Sequence, residues 1–490
     1  MNPSLIPAGL VLSPLIGALS IAIVALRSPR RAQGLTVLSS VIGLGLALAA
    51  LWHCRDGAVI DYAYGGWPAP YGIAARIDGI GAVLAALIAA VALGTFVHAG
   101  PTLRFELPGL EPAFYAMALL LVAALQGMTA TADLFNLYVF LEISSLAAYA
   151  LIAVGGGAAS LASFRYLLIG TVGASLYLLG VAYLFALTGS LNSADIALAL
   201  ANVAPSGALL LALALLTVGL GLKMALFPMH GWLPDAYTYA PTAATALIGG
   251  LMTKVGALAL MRVLYGVFQP AHADLLPGVT TIITVLGCAG IAVGSVMAVA
   301  QRDLKRLLAY SSIAHLGFIG VGIGLGNRAG MTAAVFHMVA HGVAKATLFL
   351  IAGGVAYRLG TRSTESLAGL YRVMPWTTAA LVIAAMSMIG IPPTAGFYSK
   401  WYLMMGCLDA GRPELFAVIV ASTLLSAWYF LRLFETIFFQ KAETERRRAE
   451  LPMPMLSVVT AGALALIAIG LINQDVIQNL IGASSLVAGR

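Results

Sequence analysis

Fourteen apolar runs fill most of the chain, at roughly 4–26, 35–53, 77–97, 112–131, 133–154, 164–187, 207–227, 241–265, 275–299, 305–325, 331–355, 375–395, 414–439 and 455–473. A helix of about twenty such residues spans the roughly 30 Å hydrocarbon core of a bilayer. The runs are continuously apolar and lack the alternation of a membrane barrel strand, which excludes a barrel. The pattern predicts an all-α polytopic membrane protein with about 14 transmembrane helices.

Two runs are interrupted. Near 220–240 the chain reads GLKMALFPMHGWLPDAYTYAP, and near 388–403 it reads MIGIPPTAGFYSKWYL. Pro228 and Pro234 in the first, and Pro392 and Pro393 in the second, remove backbone donors and clash with the preceding turn, so helices 7 and 12 should break. Broken helices at matching places in two halves of a chain point to a transport site. The pattern divides the chain into N-terminal helices 1–3 (1–110), a five-helix repeat of helices 4–8 (111–268), a second repeat of helices 9–13 (269–440), and a loop with helix 14 (441–490). Five helices per repeat make the second copy insert upside down, giving inverted symmetry.

Composition sharpens this picture. Of the 490 residues 61% are hydrophobic and only 9% charged, against about 25% charged in soluble domains. The net charge of +7 lies in short loops rather than on a basic face, which argues against nucleic acid. With the N-terminus outside, the loops after odd-numbered helices hold fifteen Lys or Arg, including Arg302, Lys305, Arg306, Arg362, Arg446 and Arg447. The opposite loops hold six, Arg262 and Arg490 among them. Cytoplasmic loops carry the excess, so both termini are expected on the outer side. Residues 1–26 are apolar first and basic afterwards, the reverse of a secretory signal, and read as a retained helix. Cys54, Cys288 and Cys407 lie far apart with no CxxC spacing, so neither a metal nor a cofactor is expected. GGGAAS at 155–160 lacks the GK[ST] of a phosphate loop.

Glu142, Lys223, Lys254, Lys345 and Lys400 all fall inside the runs. Each charge at the bilayer centre costs about 2.5–3.5 kcal/mol on insertion scales, so these groups must pair or line water. Glu142 can serve as a structural ion-pair partner, as a proton-switchable one, or as both. Burial disfavours an ammonium and a nearby carboxylate restores it, so a lysine that can gain or lose its anion can hold or expel a proton. His337, His341 and Lys345 recur every four residues and share one stripe of helix 11. In HMVAH, Met338 stands where a zinc protease motif needs glutamate, which favours a hydrated proton relay over a metal. His315 on helix 10 and His230 in the first break could extend it. Arg432 and Glu435, three apart on helix 13, suit a local ion pair.

The segments DLFNLYVFLEISSLAAYAL, GLKMALFPMHGWLPDAYTYAPTAATALIGGLMTKVGALALMRV, QRDLKRLLAYSSIAHLGFI, FHMVAHGVAKATLFL and IGIPPTAGFYSKW resemble the antiporter-like subunits of respiratory complex I and of Mrp cation/proton antiporters. The resemblance implies fourteen helices, two inverted repeats and a central hydrophilic axis. It implies Glu142 and Lys223 as a coupled pair, Lys254 as central relay, His337, His341 and Lys345 as its continuation, and Lys400 as the terminal protonatable group. It further implies a bacterial inner membrane, partner membrane subunits, protons and Na+. One complex I subunit type has glutamate at the last position, so Lys400 argues against that type. The chain's length and FNLYVFLE look most like the D-type subunits of Mrp antiporters. The expected function is therefore proton movement within an Na+/H+ antiporter. The alternative is a proton-pumping subunit of a redox-driven complex, either a complex I relative or a membrane-bound hydrogenase. A redox enzyme with its own cofactor lacks ligand motifs.

Overall fold

The apolar runs become helices, most of them joined by short turns. The computed structural model describes residues 2–441, 448–482, 484 and 486, so Arg446, Arg447 and Arg490 lie outside the described residues. The helices are α1 (Pro3–Ala25), α2 (Pro29–His53), α3 (Gly79–Glu106), α4 (Glu111–Ala130), α5 (Leu134–Ala153) and α6 (Ala158–Thr188). A broken pair follows, α7a (Gly207–Lys223) and α7b (Leu233–Tyr239). Next come α8 (242–272) and α9 (Leu276–Val299), parted by a turn at His272. Helices α10 (Leu304–Leu325) and α11 (Arg328–Leu359) precede a second broken pair, α12a (Pro375–Ile389) and α12b (Ala395–Asp409). The bundle closes with α13 (Pro413–Phe439) and α14 (Met453–Leu471). Among the described residues, counting each broken pair once gives fourteen membrane-length helical segments, at the positions the hydrophobic pattern predicts. Between α2 and α3 a short antiparallel hairpin, β1 (Ile60–Ala63) and β2 (Ala74–Ile77), pairs Ile60 with Ile77. Hydropathy read at helical length does not reveal it.

Helix ends carry the expected chemistry. Asp78, Asp133, Asp303 and Asn327 stand one residue before α3, α5, α10 and α11, and each side chain accepts a hydrogen bond from a first-turn N–H. Such caps satisfy donors a helix cannot pair itself. Gly390, at φ +92°, ends α12a in a left-handed turn that glycine adopts freely. Ala225, at φ +57°, plays the same part after α7a without that freedom.

Both breaks occur where the prolines lie. Residues 224–232 separate the halves of helix 7, and 390–394 those of helix 12. Helix α6 turns Phe164, Leu168, Val172 and Leu179 outward, the face a lipid-contacting helix presents. Helices α10 and α11, by contrast, are buried along nearly their whole apolar length, which makes them the axle of the bundle.

Ion pairs near the two ends of the bundle sort by side. Arg165 and Arg306 both pair with Asp235, Arg362 with Asp303 and Arg302 with Glu365, all from the arginine-rich set of loops. At the other end Arg76 pairs with Asp61, Arg262 with Asp78 and Arg412 with Glu414. None of these pairs joins residues that the sequence assigns to opposite sides. Arg432 departs from expectation. It donates to the Gln301 carbonyl at 3.0 Å instead of pairing with Glu435, because the end of α9 lies within reach of its long side chain.

Asp78 carries the most partners of these acids: it accepts from Arg262 Nη2 at 3.0 Å, Gly81 N–H at 2.9 Å and Ser484 at 2.6 Å. Asp78→Ala leaves the mostly buried Arg262 guanidinium without its anion, holding only the Thr129 carbonyl, and uncaps α3. Breaking such a pair costs about 3–5 kcal/mol. The expected result is a clear fall in the thermal midpoint of the detergent-purified protein, and an unchanged midpoint would remove the ion pair from the account.

Candidate functional site

Lys223 is the last residue of α7a, and its side chain is 3% exposed. Its Nζ lies 3.6 Å from Glu142 Oε1 and donates to Ser145 Oγ at 2.7 Å. Both partners are on α5, three residues apart and so on one face. The amine is therefore shared between a carboxylate at loose contact distance and a hydroxyl at full hydrogen-bond distance. Glu142 itself is 25% exposed, on the same helix that turns Phe135, Val139 and Ile143 outward.

Lys254 is fully buried in α8. Residues Ile248–Met252 form a π-helical turn, which frees backbone carbonyls of the ordinary ladder, and the Lys254 amine takes the Gly249 carbonyl. Thr253 Oγ1 stands 3.4 Å away. Among the described residues no hydrogen bond joins Lys254 to Lys223 or to His341.

Helices α10 and α11 bring three imidazoles together. His315 and His341 stack with centroids 5.0 Å apart, and His315 and His337 with centroids 5.1 Å apart. His315 Nδ1 is 3.0 Å from His337 Nε2, and His337 Nδ1 is 2.8 Å from Ser399 Oγ on α12b. One stripe of α11 thus faces α10, as the four-residue spacing requires. His341 has both ring nitrogens buried without a partner, and His315 has Nε2 so. Lys345 donates to the Leu308 carbonyl at 2.7 Å and to Ser311 Oγ.

Lys400, next to Ser399, donates to the carbonyls of Met388 at 3.1 Å and Ile389 at 2.9 Å, with Thr423 Oγ1 at 3.3 Å. These carbonyls end α12a, the negative pole of a half-helix, which suits a cation. Lys223, at the end of α7a, occupies the corresponding pole of the other broken helix.

The structure therefore gathers Glu142 with Lys223, and His315, His337 and His341 with Ser399. Lys345 lies one turn after His341 on α11, and Lys400 is next to Ser399, the hydroxyl that bonds His337. His230 is not brought to them; it stacks on Phe227 within the break of helix 7. Ser145, Ser311, Ser399 and Thr423 escape sequence reasoning, since a helical hydroxyl announces nothing until its neighbour across the bundle is known. Lys305, counted with a loop, is buried at 2% exposure and donates to the Ala240 carbonyl at 2.6 Å.

Close helix contact sets this geometry. A Cβ on Gly342 would stand 2.9 Å from Leu87 and 3.0 Å from the Gly250 carbonyl. Gly342→Val should push α11 from α8 and shift His341 and Lys345, which flank it. The expected outcome is loss of transport with reduced assembly; wild-type yield and activity would show that the contact is dispensable.

Residues 131–426 match the family described as NADH:quinone oxidoreductase/Mrp antiporter, TM. The chain is 44% identical over 493 residues to the N-type subunit of the NADH-quinone oxidoreductase of Desulforudis audaxviator, covering 97% of each chain. It is 32% identical over 449 residues to the D-type subunit of the Na(+)/H(+) antiporter of Alkalihalophilus pseudofirmus, covering 90% of each. A chain in the structure of the membrane-bound sulfane sulfur reductase, an archaeal respiratory membrane complex, superposes with a TM-score of 0.90 at 28% identity, covering 98% of this chain and 97% of that one. The lean toward the antiporter's D type, drawn from length and FNLYVFLE, thus meets a relative of higher identity from a redox complex. Fold, buried charges and these likenesses agree: the chain belongs to the NADH:quinone oxidoreductase/Mrp antiporter family of multi-span membrane proteins.

Proposed function

We propose that this chain moves protons across a bacterial inner membrane as one component of a larger membrane assembly, along Glu142, Lys223, Lys254, Lys345, the three imidazoles and Lys400. The observation that carries this reading is the set of buried amines that have no anion beside them. Among the described residues Lys254, Lys345 and Lys400 hydrogen-bond only to carbonyls and hydroxyls. A permanent charge there costs several kcal/mol, whereas an amine that passes its proton on escapes that cost.

Lys223 supplies the switch. Paired with Glu142 it holds a proton; when Glu142 moves away, the amine keeps only Ser145 in a low-dielectric setting and sheds the proton to the next acceptor. Each proton that crosses is worth about 2.3 kcal/mol per 100 mV of membrane potential. The topology proposed from loop charge puts both termini outside and the arginine-rich end in the cytoplasm. The division into inverted repeats 111–268 and 269–440 accounts for the similar amine at each broken helix.

Two sources of drive fit. In one, proton re-entry powers sodium export, as the likeness to the D type of an Na(+)/H(+) antiporter suggests. In the other, redox chemistry in partner subunits pumps protons outward, which the 44% identity to the N type of an NADH-quinone oxidoreductase favours. Purifying the chain with its native partners and reconstituting the complex separates them. Proton movement driven by a sodium gradient supports the first reading, movement driven by quinone reduction supports the second, and neither would discard proton translocation.

A further inference from the structure

We propose that His98 carries protons in a side branch of this route, a hydrated polar seam along α3 leading from the arginine-rich end of the bundle to the level of Lys254 and Lys345. The inference rests on the proton-translocating reading above. Helix α3 lies before residue 131, outside the segment that matches the family.

His98 is fully buried, and among the described residues neither Nδ1 nor Nε2 has a hydrogen-bond partner. An imidazole with two orphaned nitrogens is a poor packing residue. Leucine or methionine would fill the space without desolvating two polar atoms. Thr102 and Glu106 follow at four and eight residues, which places all three on one stripe of α3 within about 12 Å.

At the lower end of that stripe, Glu106 accepts from Thr242 N–H at 2.9 Å and from Thr242 Oγ1 at 2.6 Å, where α8 begins. Lys305 donates to the Ala240 carbonyl two residues earlier, which sets its amine beside the same turn. A carboxylate and a buried amine therefore flank the foot of the seam. At the upper end, Val91 lies seven residues before His98 and hence on the same face, where a Cβ on Gly250, in the π-helical turn below Lys254, would meet it at 3.5 Å. Leu87, one turn further, packs against Gly342 between His341 and Lys345. The stripe so leads from the carboxylate and the buried amine at its foot, through His98, to apolar residues packed beside the helices that carry the lysines of the main route. Thr95, three residues earlier on the same helix, also has a buried Oγ1 that is without a hydrogen-bond partner among the described residues.

The chemistry needs no further reactant. An imidazole accepts a proton on one nitrogen and releases one from the other, so each passage changes only the tautomer, and ring rotation resets it.

The test uses the whole complex in proteoliposomes with an internal pH dye. His98→Leu and His98→Gln are expected to lower proton flux by about tenfold or more while partner subunits still co-purify. Wild-type flux in either variant overturns the branch. Lys223→Ala run in parallel tells the two levels apart: if it stops flux while the His98 variants conduct, only the branch fails, and if none lowers flux, the proton-translocating reading fails as well. Radiolytic hydroxyl labelling of the wild-type complex, which oxidises side chains in contact with internal water, needs no variant. Oxidation at His98 supports the seam, and protection equal to that of the buried Phe96 overturns it.

Discussion

Proton flux through the assembled complex is expected to fall about a hundredfold or more when Lys223 is replaced by alanine, and equally when Glu142 is replaced by glutamine. The reason is the loose geometry of the pair. At 3.6 Å the carboxylate steadies the ammonium without locking it, and Ser145 at 2.7 Å offers the amine a neutral alternative. Alanine removes the proton carrier; glutamine keeps the shape of Glu142 and removes the charge that makes the amine hold a proton. Glutamine is isosteric with Glu142, and the space left by Lys223→Ala lies at a helix end inside the bundle, away from its outer surface, so partner subunits should still co-purify. Everted vesicles with a pH dye give the measurement, and wild-type flux in both variants would remove the switch from the mechanism.

Lys400→Ala is the second large effect. Its amine ties α12b back to the carbonyls that end α12a and adjoins Ser399, the last hydroxyl bonded to the imidazole stack. Removing it should block flux about as fully as Lys223→Ala, since no other described amine reaches those carbonyls. Assembly should persist, because the Pro392–Pro393 break and the Gly390 turn shape the helix ends independently of the lysine. Retained flux would mean the route leaves the bundle before α12b.

Much of this was legible in the residues. Hydrocarbon thickness sets the length of a crossing, so apolar runs marked the helices, and prolines marked both interruptions. Burial of Lys223, Lys254, Lys345 and Lys400 followed from their depth within runs, and the facing of His337, His341 and Lys345 from their spacing. What stayed hidden depends on contacts between helices. Ser145, Ser311 and Ser399 become partners only once α5 meets α7a, α10 meets α11 and α11 meets α12b. Lys305 read as a loop charge because it sits at the edge of a run, yet α7b and α8 close over it. Arg432 found a carbonyl on another helix that no local spacing rule contains.

The acid content of the corridor bears on what else can travel there. Between residues 242 and 400 the acidic residues are Asp274, Asp303 and Glu365, all outside the helix interiors. An alkali ion entering between Lys254 and Lys400 would meet amines of its own sign and imidazoles, with no hard oxygen anion to replace its water. A proton faces no such obstacle, because it travels as part of those same amines and rings. Sodium, wherever it accompanies this machinery, is thus expected to cross through a neighbouring chain of the assembly.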